Sequence, residues 1–511
     1  MTKLTPEIPS IDLNNYIVDP EIVNCIPERL ARKHRMIPLF RIKDSLTIAV
    51  ASSENFMAID EARAVSGYNN IQLVKAEASQ ILAAIEQYYT VSNSIEDIVN
   101  DLEKMDLDFV PQEKLDLIRL QRITEEPPII KLVNLILAQA LKDNASDIHI
   151  EPEEEKVRVR LRIDGVLHTL IELTRRLELP IVPRIKVISG LDIMERRKPQ
   201  DGRFRVRVED REVDLRISTF PVAFGEKVVM RILDRSTAFL GLEKLGFSPG
   251  ACSEFESWIK KPYGVILVTG PTGSGKTSTL YAALSKLNSS EKNIVTLENP
   301  REYLLAGINQ SEVNPEIGFG FAEGLRSILR QDPDIIMLGE IRDLETAEIA
   351  IRAALTGHLV LSTLHTNDAP GAITRLIDMG IEPFLLSSSI IGVLAQRLVR
   401  VICPSCKEQY EPGNEVYEKM GFNRDKKITF YRGRGCLACR QTGYKGRLGI
   451  LELMKVDGSL RELMSKTRAT AEIRKAAIKA GMKTLSQDGY DKVVQGITTL
   501  EEVLRVTYSE E

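Results

Sequence analysis

The stretch Gly270-Pro271-Thr272-Gly273-Ser274-Gly275-Lys276-Thr277 fits G-x-x-x-x-G-K-[ST], a loop that cradles nucleotide phosphates. Its flanks turn the match into a constraint on the fold. Val265-Ile266-Leu267-Val268-Thr269 reads as a short buried strand, being apolar and partly β-branched. Ser278 to Leu287 reads as a helix with Leu280, Ala283, Leu284 and Leu287 on one side. Glycines let backbone N–H groups curl around anionic oxygens, and the helix start adds its positive dipole end. Lys276 is expected to reach the β- and γ-phosphates, and Thr277 to hold Mg²⁺. ATP with Mg²⁺ is therefore the expected ligand. A chance glycine-rich turn is the bland alternative, and two correct flanks argue against it.

Such a loop needs a second acidic strand end to order the metal ion and the attacking water. Ile335-Ile336-Met337-Leu338-Gly339-Glu340 supplies one, with glutamate after glycine where an aspartate is usual. Ile294-Val295-Thr296-Leu297-Glu298 supplies another. Leu359-Val360-Leu361-Ser362-Thr363 leads to His365-Thr366-Asn367, so His365 is a candidate γ-phosphate sensor. A lone histidine at a strand end is more often structural, but its place in this order favours a role in the site. Strand ends alternating with helices fit a parallel sheet with its ligand at the carboxyl edge.

Cys403-Pro404-Ser405-Cys406 and Cys436-Leu437-Ala438-Cys439 are paired CxxC knuckles. Four thiolates form a closed tetrahedral set, the structural zinc arrangement, so Cys403, Cys406, Cys436 and Cys439 are the expected Zn²⁺ ligands. Residues 407–435 between the pairs exceed the usual ribbon spacing of about 15–20, which implies a looped-out subdomain. Cys25 and Cys252 are isolated and read as core residues.

The chain has 511 residues, enough for three or four domains at roughly 150 residues each. Its net charge of −4 supplies no global basic field for nucleic acid. No run approaches the roughly 18 apolar residues of a membrane span, and no apolar stretch follows Met1-Thr2-Lys3-Leu4-Thr5-Pro6 to make a signal peptide. A cytoplasmic protein is expected, and clustered cysteines in a reducing compartment point to metal. Six segments are expected: a small N-terminal α/β docking module (1–90), an acidic linker (91–127), an arginine-rich α+β domain (128–240), the P-loop domain (241–400), the zinc subdomain (401–445) and a C-terminal helical region (446–511). In the third, Val157-Arg158-Val159-Arg160-Leu161-Arg162-Ile163-Asp164-Gly165 alternates apolar and basic residues and closes on a hairpin turn. Arg203 to Val208 and Val213 to Ile217 repeat the pattern. A solvated sheet face accounts for most of these arginines; a polyanion or a neighbouring subunit's nucleotide accounts for so many on one sheet.

Together the P-loop, Glu298-Asn299-Pro300-Arg301-Glu302, Gly339-Glu340-Ile341-Arg342-Asp343 and Ser362-Thr363-Leu364-His365-Thr366-Asn367 resemble the Walker A, Asp box, Walker B and His box of secretion ATPases. Ala145 to Pro152 and Pro199-Gln200-Asp201-Gly202-Arg203 resemble that family's preceding domain. Asn299 departs from the usual Asp-box aspartate and cannot serve as an acid. The resemblance implies an α/β multidomain protein: a RecA-like ATPase domain, a preceding PAS-like α+β domain, and the N-terminal and zinc modules. It implies a homo-hexamer with ATP in the cleft between the two larger domains. Arg216 and Arg231 become candidate arginine fingers, with Arg326, Arg330 and Arg342 as further candidates. Glu340, with Glu298 as a second candidate, orients or activates the water. The implied function is a motor for type II secretion, driving pseudopilus assembly and docked through its N-terminal module on inner-membrane platform proteins. The tetracysteine element is typical of secretion and pilus-assembly ATPases, and retraction ATPases generally lack it. A type IV pilus assembly ATPase uses the same chemistry and is the alternative; a nucleic-acid translocase and a non-hydrolysing scaffold are remote ones. The N-terminal unit also resembles modules that bind cyclic di-GMP in some relatives, without a clear paired signature here.

Overall fold

The computed structural model describes residues 8–11, 13, 20–23, 25–42, 45–51, 56–68, 70–88, 127–208, 211–234, 241–411, 413, 428–466 and 469–507. The expected linker falls almost wholly outside them. These residues form two compact units: one from the first 234 residues with 434–443, the other from 235–433 with 444–511.

The first unit contains two sheets. β1 (Met36–Ile42) pairs antiparallel with β2 (Ser45–Val50), which pairs parallel with β3 (Asn70–Lys75). The parallel step requires a crossover, supplied by the helix Phe56–Ser66. Leu39, Leu46, Ile48, Ile81 and Ile85 lie in its core, and so does Leu437, the residue after Cys436. That last contact pairs positions hundreds of residues apart, and no local pattern foretells it.

The second sheet is antiparallel, in the order β6-β5-β4-β9-β8-β7. Its strands are β4 (Asp147–Pro152), β5 (Lys156–Ile163), β6 (Val166–Thr174), β7 (Gln200–Val208), β8 (Arg211–Val222) and β9 (Gly225–Asp234). The expected Asp-Gly turn is present, with Asp164 at φ 48° and Gly165 at φ 86°. The period-2 pattern has a physical outcome. Val157, Val159, Leu161, Leu215 and Met230 share a core with Ile129, Leu132 and Ile136 of the helix Pro127–Lys142, while the arginines take the opposite face.

The second unit carries a seven-stranded sheet in the order β12-β11-β13-β14-β10-β15-β18. β10 (Gly264–Thr269), β11 (Ile294–Glu298), β12 (Asn309–Glu312), β13 (Ile335–Leu338), β14 (Leu359–Leu364) and β15 (Ile390–Ile402) are parallel, and β18 (Tyr444–Lys455) closes the edge antiparallel. β16 (Lys407–Tyr410) and β17 (Phe430–Gly433) form a separate hairpin between β15 and β18 in the chain. The continuous apolar strands follow from burial on both faces: Val265, Leu267 and Leu338 enter one core, and Ile266, Val268 and Met337 the other. The reading of 446–511 as helical is corrected at its start. Residues up to Lys455 belong to β18, because their apolar run lies against β15. Helices follow from Gly458 to Thr507.

Candidate functional site

β10 ends at Thr269, and the loop leads into the helix Lys276–Leu287. Two glycines have no substitute there. A Cβ at Gly270 would lie 2.5 Å from the Gln396 carbonyl oxygen and 2.6 Å from Ser274 Oγ. Gly275 stands at φ 88°, and its Cβ would lie 2.8 Å from Gln396 Nε2. There the loop backbone packs directly against Gln396 of β15. Pro271, Thr272 and Gly273 form its exposed crest. The buried Lys276 ammonium donates to the carbonyls of Gly270 (2.8 Å) and Pro271 (3.0 Å). Its pKa is pushed down by burial and by the neighbouring Arg397, against the pull of Glu340. Ser274 Oγ is buried with no hydrogen-bond partner among the described residues. A cation engaging only carbonyls, an unpaired hydroxyl and a backbone too close to β15 for a Cβ at Gly270 or Gly275 suit a phosphate chain.

β13 and β14 are neighbours in register, and Thr363 Oγ1 donates to the Gly339 carbonyl at 2.6 Å. This brings Glu340 and His365 together: His365 Nε2 lies 3.3 Å from Glu340 Oε2, and Arg342 Nη2 lies 2.5 Å from Oε1. Glu340 is 9% exposed, whereas half of the His365 side chain is open.

Glu298 occupies a different setting. It is 2% exposed. Its Oε2 accepts from the Tyr281 hydroxyl, and its Oε1 from Thr296 Oγ1 (2.6 Å) and Gln310 Nε2 (3.1 Å). Tyr281 comes from the P-loop helix, so this carboxylate fastens that helix to the end of β11. Burial first, then the Glu298 charge, pushes the Tyr281 pKa upward, so it keeps its proton and remains a donor.

Arg342 is the one ATPase-side arginine of the three candidates paired to Glu340. Arg326 pairs with Glu345, and Arg330 donates to the Arg326 carbonyl (2.9 Å) and Ser327 Oγ (3.1 Å). In the antiparallel sheet of the first unit, Arg203, Arg216, Arg231, Asp147 and Arg162 stand directly opposite one another across β7, β8, β9, β4 and β5. Arg231 Nε lies 3.1 Å from Asp147 Oδ1. The row so formed holds four guanidiniums and the Asp147 carboxylate. Arg216 and Arg231 both lie in it.

The four Sγ atoms of Cys403, Cys406, Cys436 and Cys439 all lie within 4.8 Å of one another, and all four residues are buried. The amides of Cys436 (3.2 Å) and Gly443 (3.3 Å) donate to Cys439 Sγ. Amide donors onto sulfur favour the thiolate, and four clustered thiolates suit a tetrahedral soft-ligand ion.

Sequence reasoning passed over Tyr281, Gln396 and Arg397. The last two were visible as a polar pair inside the mostly apolar strand Ile390–Ile402. Gln396 Oε1 accepts from Thr279 Oγ1 at 2.7 Å, locking the P-loop helix to β15.

Residues 122–505 match the family described as "Type II/IV secretion system protein", and residues 7–94 the "MshEN domain". The type IV pilus assembly ATPase PilB of Myxococcus xanthus is 47% identical, over 97% of this chain and 88% of the relative. The type II secretion system ATPase E of Vibrio cholerae is 49% identical, over 86% of this chain and 87% of the relative. The ATPase DotB of Yersinia pseudotuberculosis shares the fold, at a TM-score of 0.58 and 22% identity, covering 78% of this chain and 97% of that chain. The pilus retraction motor PilT aligns at a TM-score of 0.51 and 27% identity, over 73% of this chain and 96% of that chain. A phosphate-cradling loop, a paired glutamate and histidine, and matches over nearly the whole length together establish that this chain belongs to the type II/IV secretion system protein family of ATPases.

Proposed function

We propose that this chain is the ATP-hydrolysing motor of a type II secretion system, working as a homo-hexamer beside the inner membrane. The observation that carries the chemistry is the convergence of Lys276, Glu340 and His365 at the carboxyl edge of one parallel sheet. Lys276 is released from the Gly270 and Pro271 carbonyls to engage the β- and γ-phosphates. Thr277 would supply a hydroxyl ligand to Mg²⁺, which would lend positive charge to the phosphate chain. Glu340 orients the attacking water, with Arg342 and His365 fixing its two oxygens. Glu298 keeps the Asp box in place: it is buried, and both its oxygens already accept from Tyr281, Thr296 and Gln310. This divides the roles of the two glutamates, and Asn299 needs no acidic function under it. The positive row containing Arg216 and Arg231 supplies the arginine finger. Zn²⁺ on the four cysteines is structural, since four thiolates leave no open position. The N-terminal module docks on the inner-membrane platform.

The name of the Vibrio cholerae relative favours secretion; the Myxococcus xanthus relative, matching over more of this chain, keeps pilus assembly as the second reading. Phosphate release by the oligomeric wild type against Lys276→Ala and Glu340→Gln tests the motor. Both variants should lose at least about 10²-fold in kcat. Equal release by all three would refute hydrolysis at this site. Restoring export in a secretion-ATPase deletion, or pili in an assembly-ATPase deletion, separates the two machines.

A further inference from the structure

Arg397 is 8% exposed, yet its hydrogen bonds go to uncharged oxygens. Nη1 donates to the Gln396 carbonyl (3.0 Å); Nη2 donates to the Asn367 carbonyl (2.7 Å) and to Asn367 Oδ1 (3.3 Å). The two acids whose charge reaches it, Asp368 and Glu452, are otherwise engaged. Asp368 caps the next helix through Gly371 N and pairs with Arg474; Glu452 accepts from Ala369 N. Holding a guanidinium in such a place is unfavourable on its own, and the position calls for a reason.

Topology supplies one. Thr269, the last residue of β10, lies opposite Ala395 on β15 and Leu364 on β14. Just past that level the Arg397 side chain crosses from β15 to the turn after β14. It passes the first P-loop glycine, where a Cβ on Gly270 would lie 3.1 Å from Nη1. Thr366 is fastened to the same strand end, its amide donating to Thr269 Oγ1 at 2.9 Å and the two hydroxyls lying 2.7 Å apart. His365, immediately before, faces Glu340.

We propose that Arg397 is a positioning residue for the hydrolytic step, tying β15, where it packs beside the first P-loop glycine, to the Thr366–Asn367 turn and so holding His365 against Glu340. The inference rests on the ATPase reading above. A planar fork reaches the Gln396 carbonyl of β15 and Asn367 of the turn at once, which a single ammonium cannot do. Arg397 touches neither water nor phosphate in this role; it transmits the loop's position to the histidine.

The test uses the full-length oligomer with ATP, comparing wild type, Arg397→Gln, Arg397→Lys, His365→Ala and the Arg397→Gln/His365→Ala double variant. Arg397→Gln should lower kcat on the order of 10- to 100-fold, the usual scale for a supporting partner. KM should change less than about threefold, since ground-state binding is untouched. The double variant should be no slower than the more impaired single variant, because both act through one element. A raised KM with unchanged kcat would instead make Arg397 a phosphate ligand and overturn the proposal. So would multiplicative losses in the double variant. If Arg397→Gln does not fold, Arg397→Lys must show the same kcat loss, and wild-type turnover in it would overturn the proposal too. An inactive wild type indicts the ATPase reading itself, keeping the two failures distinct.

Discussion

Glu298 and Glu340 are both glutamates at strand ends and both nearly buried, yet their neighbours give them opposite chemistry. Tyr281, Thr296 and Gln310 engage both oxygens of Glu298; Arg342 and the half-open His365 flank Glu340. Tyr281→Phe removes one donor and should destabilise the protein by about 1 kcal/mol, while kcat falls far less than in Glu340→Gln. Glu298→Ala strands the Tyr281 hydroxyl and the Gln310 amide, and its cost should rise to roughly 2–4 kcal/mol. Thermal denaturation beside phosphate release checks the pair. A Glu298→Gln variant as inactive as Glu340→Gln, at unchanged stability, would put both carboxylates in the chemistry.

At the scale of elements, β15 organises more than the sheet. Beyond Arg397 it meets the last helix, Leu500–Thr507, through Glu502. That carboxylate accepts from Arg400 N (3.0 Å), Arg400 Nη2 (2.6 Å) and Arg505 Nη2 (2.8 Å). Burial raises its pKa, but the Arg505 and Arg400 bonds outweigh that and hold it at about 2. A depressed folded-state pKa gives stability that is complete above the unfolded value, near 4.5, and lost as pH falls toward 2. The share is roughly 3 kcal/mol. Glu502→Gln should therefore flatten the stability–pH curve between about pH 5 and pH 2 and matter little to its shape above pH 6. Denaturant titrations across that range measure it. The cysteine element is separable in the same way. Purified protein should carry one zinc per chain; Cys439→Ser should lose it and loosen residues near the knuckle before the ATPase core melts. Metal analysis with hydrogen exchange reads both, and metal-free wild type would rule out the zinc assignment.

For the whole molecule, the row Arg203–Arg216–Arg231 sets three guanidiniums side by side on one sheet, as an incoming phosphate would need. Arg231→Ala and Arg216→Ala should reduce kcat by about 10³-fold or more if either is the finger, whereas Lys276→Ala should weaken nucleotide binding as well as kcat. Mass measurement with and without ATP should find six copies in the active form. Losses confined to binding, or full activity in a monomer, would remove the arginines from the chemistry. Much of the architecture was legible beforehand. The alternating strands Val157–Ile163 and Val213–Ile217 declare a one-sided sheet, and the unbroken runs Val265–Val268 and Ile335–Leu338 a two-sided one. Both patterns are local consequences of which faces meet water. Tyr444–Lys455 misled because an apolar run with two glycines has no period of its own until β15 lies beside it.

The sequence by itself determined the ligand class of Gly270–Thr277, the cysteine quartet and the alternation of strands and helices, because each is a matter of spacing along the chain. Tertiary structure alone decided which glutamate faces the site, that Arg397 crosses to Asn367, and that Leu437 enters the N-terminal core. Those facts depend on which strands become neighbours, and here the order β12-β11-β13-β14-β10-β15-β18 departs from chain order. Burial and charge act through space, so a side chain's chemistry is set by contacts that close only when the sheet does.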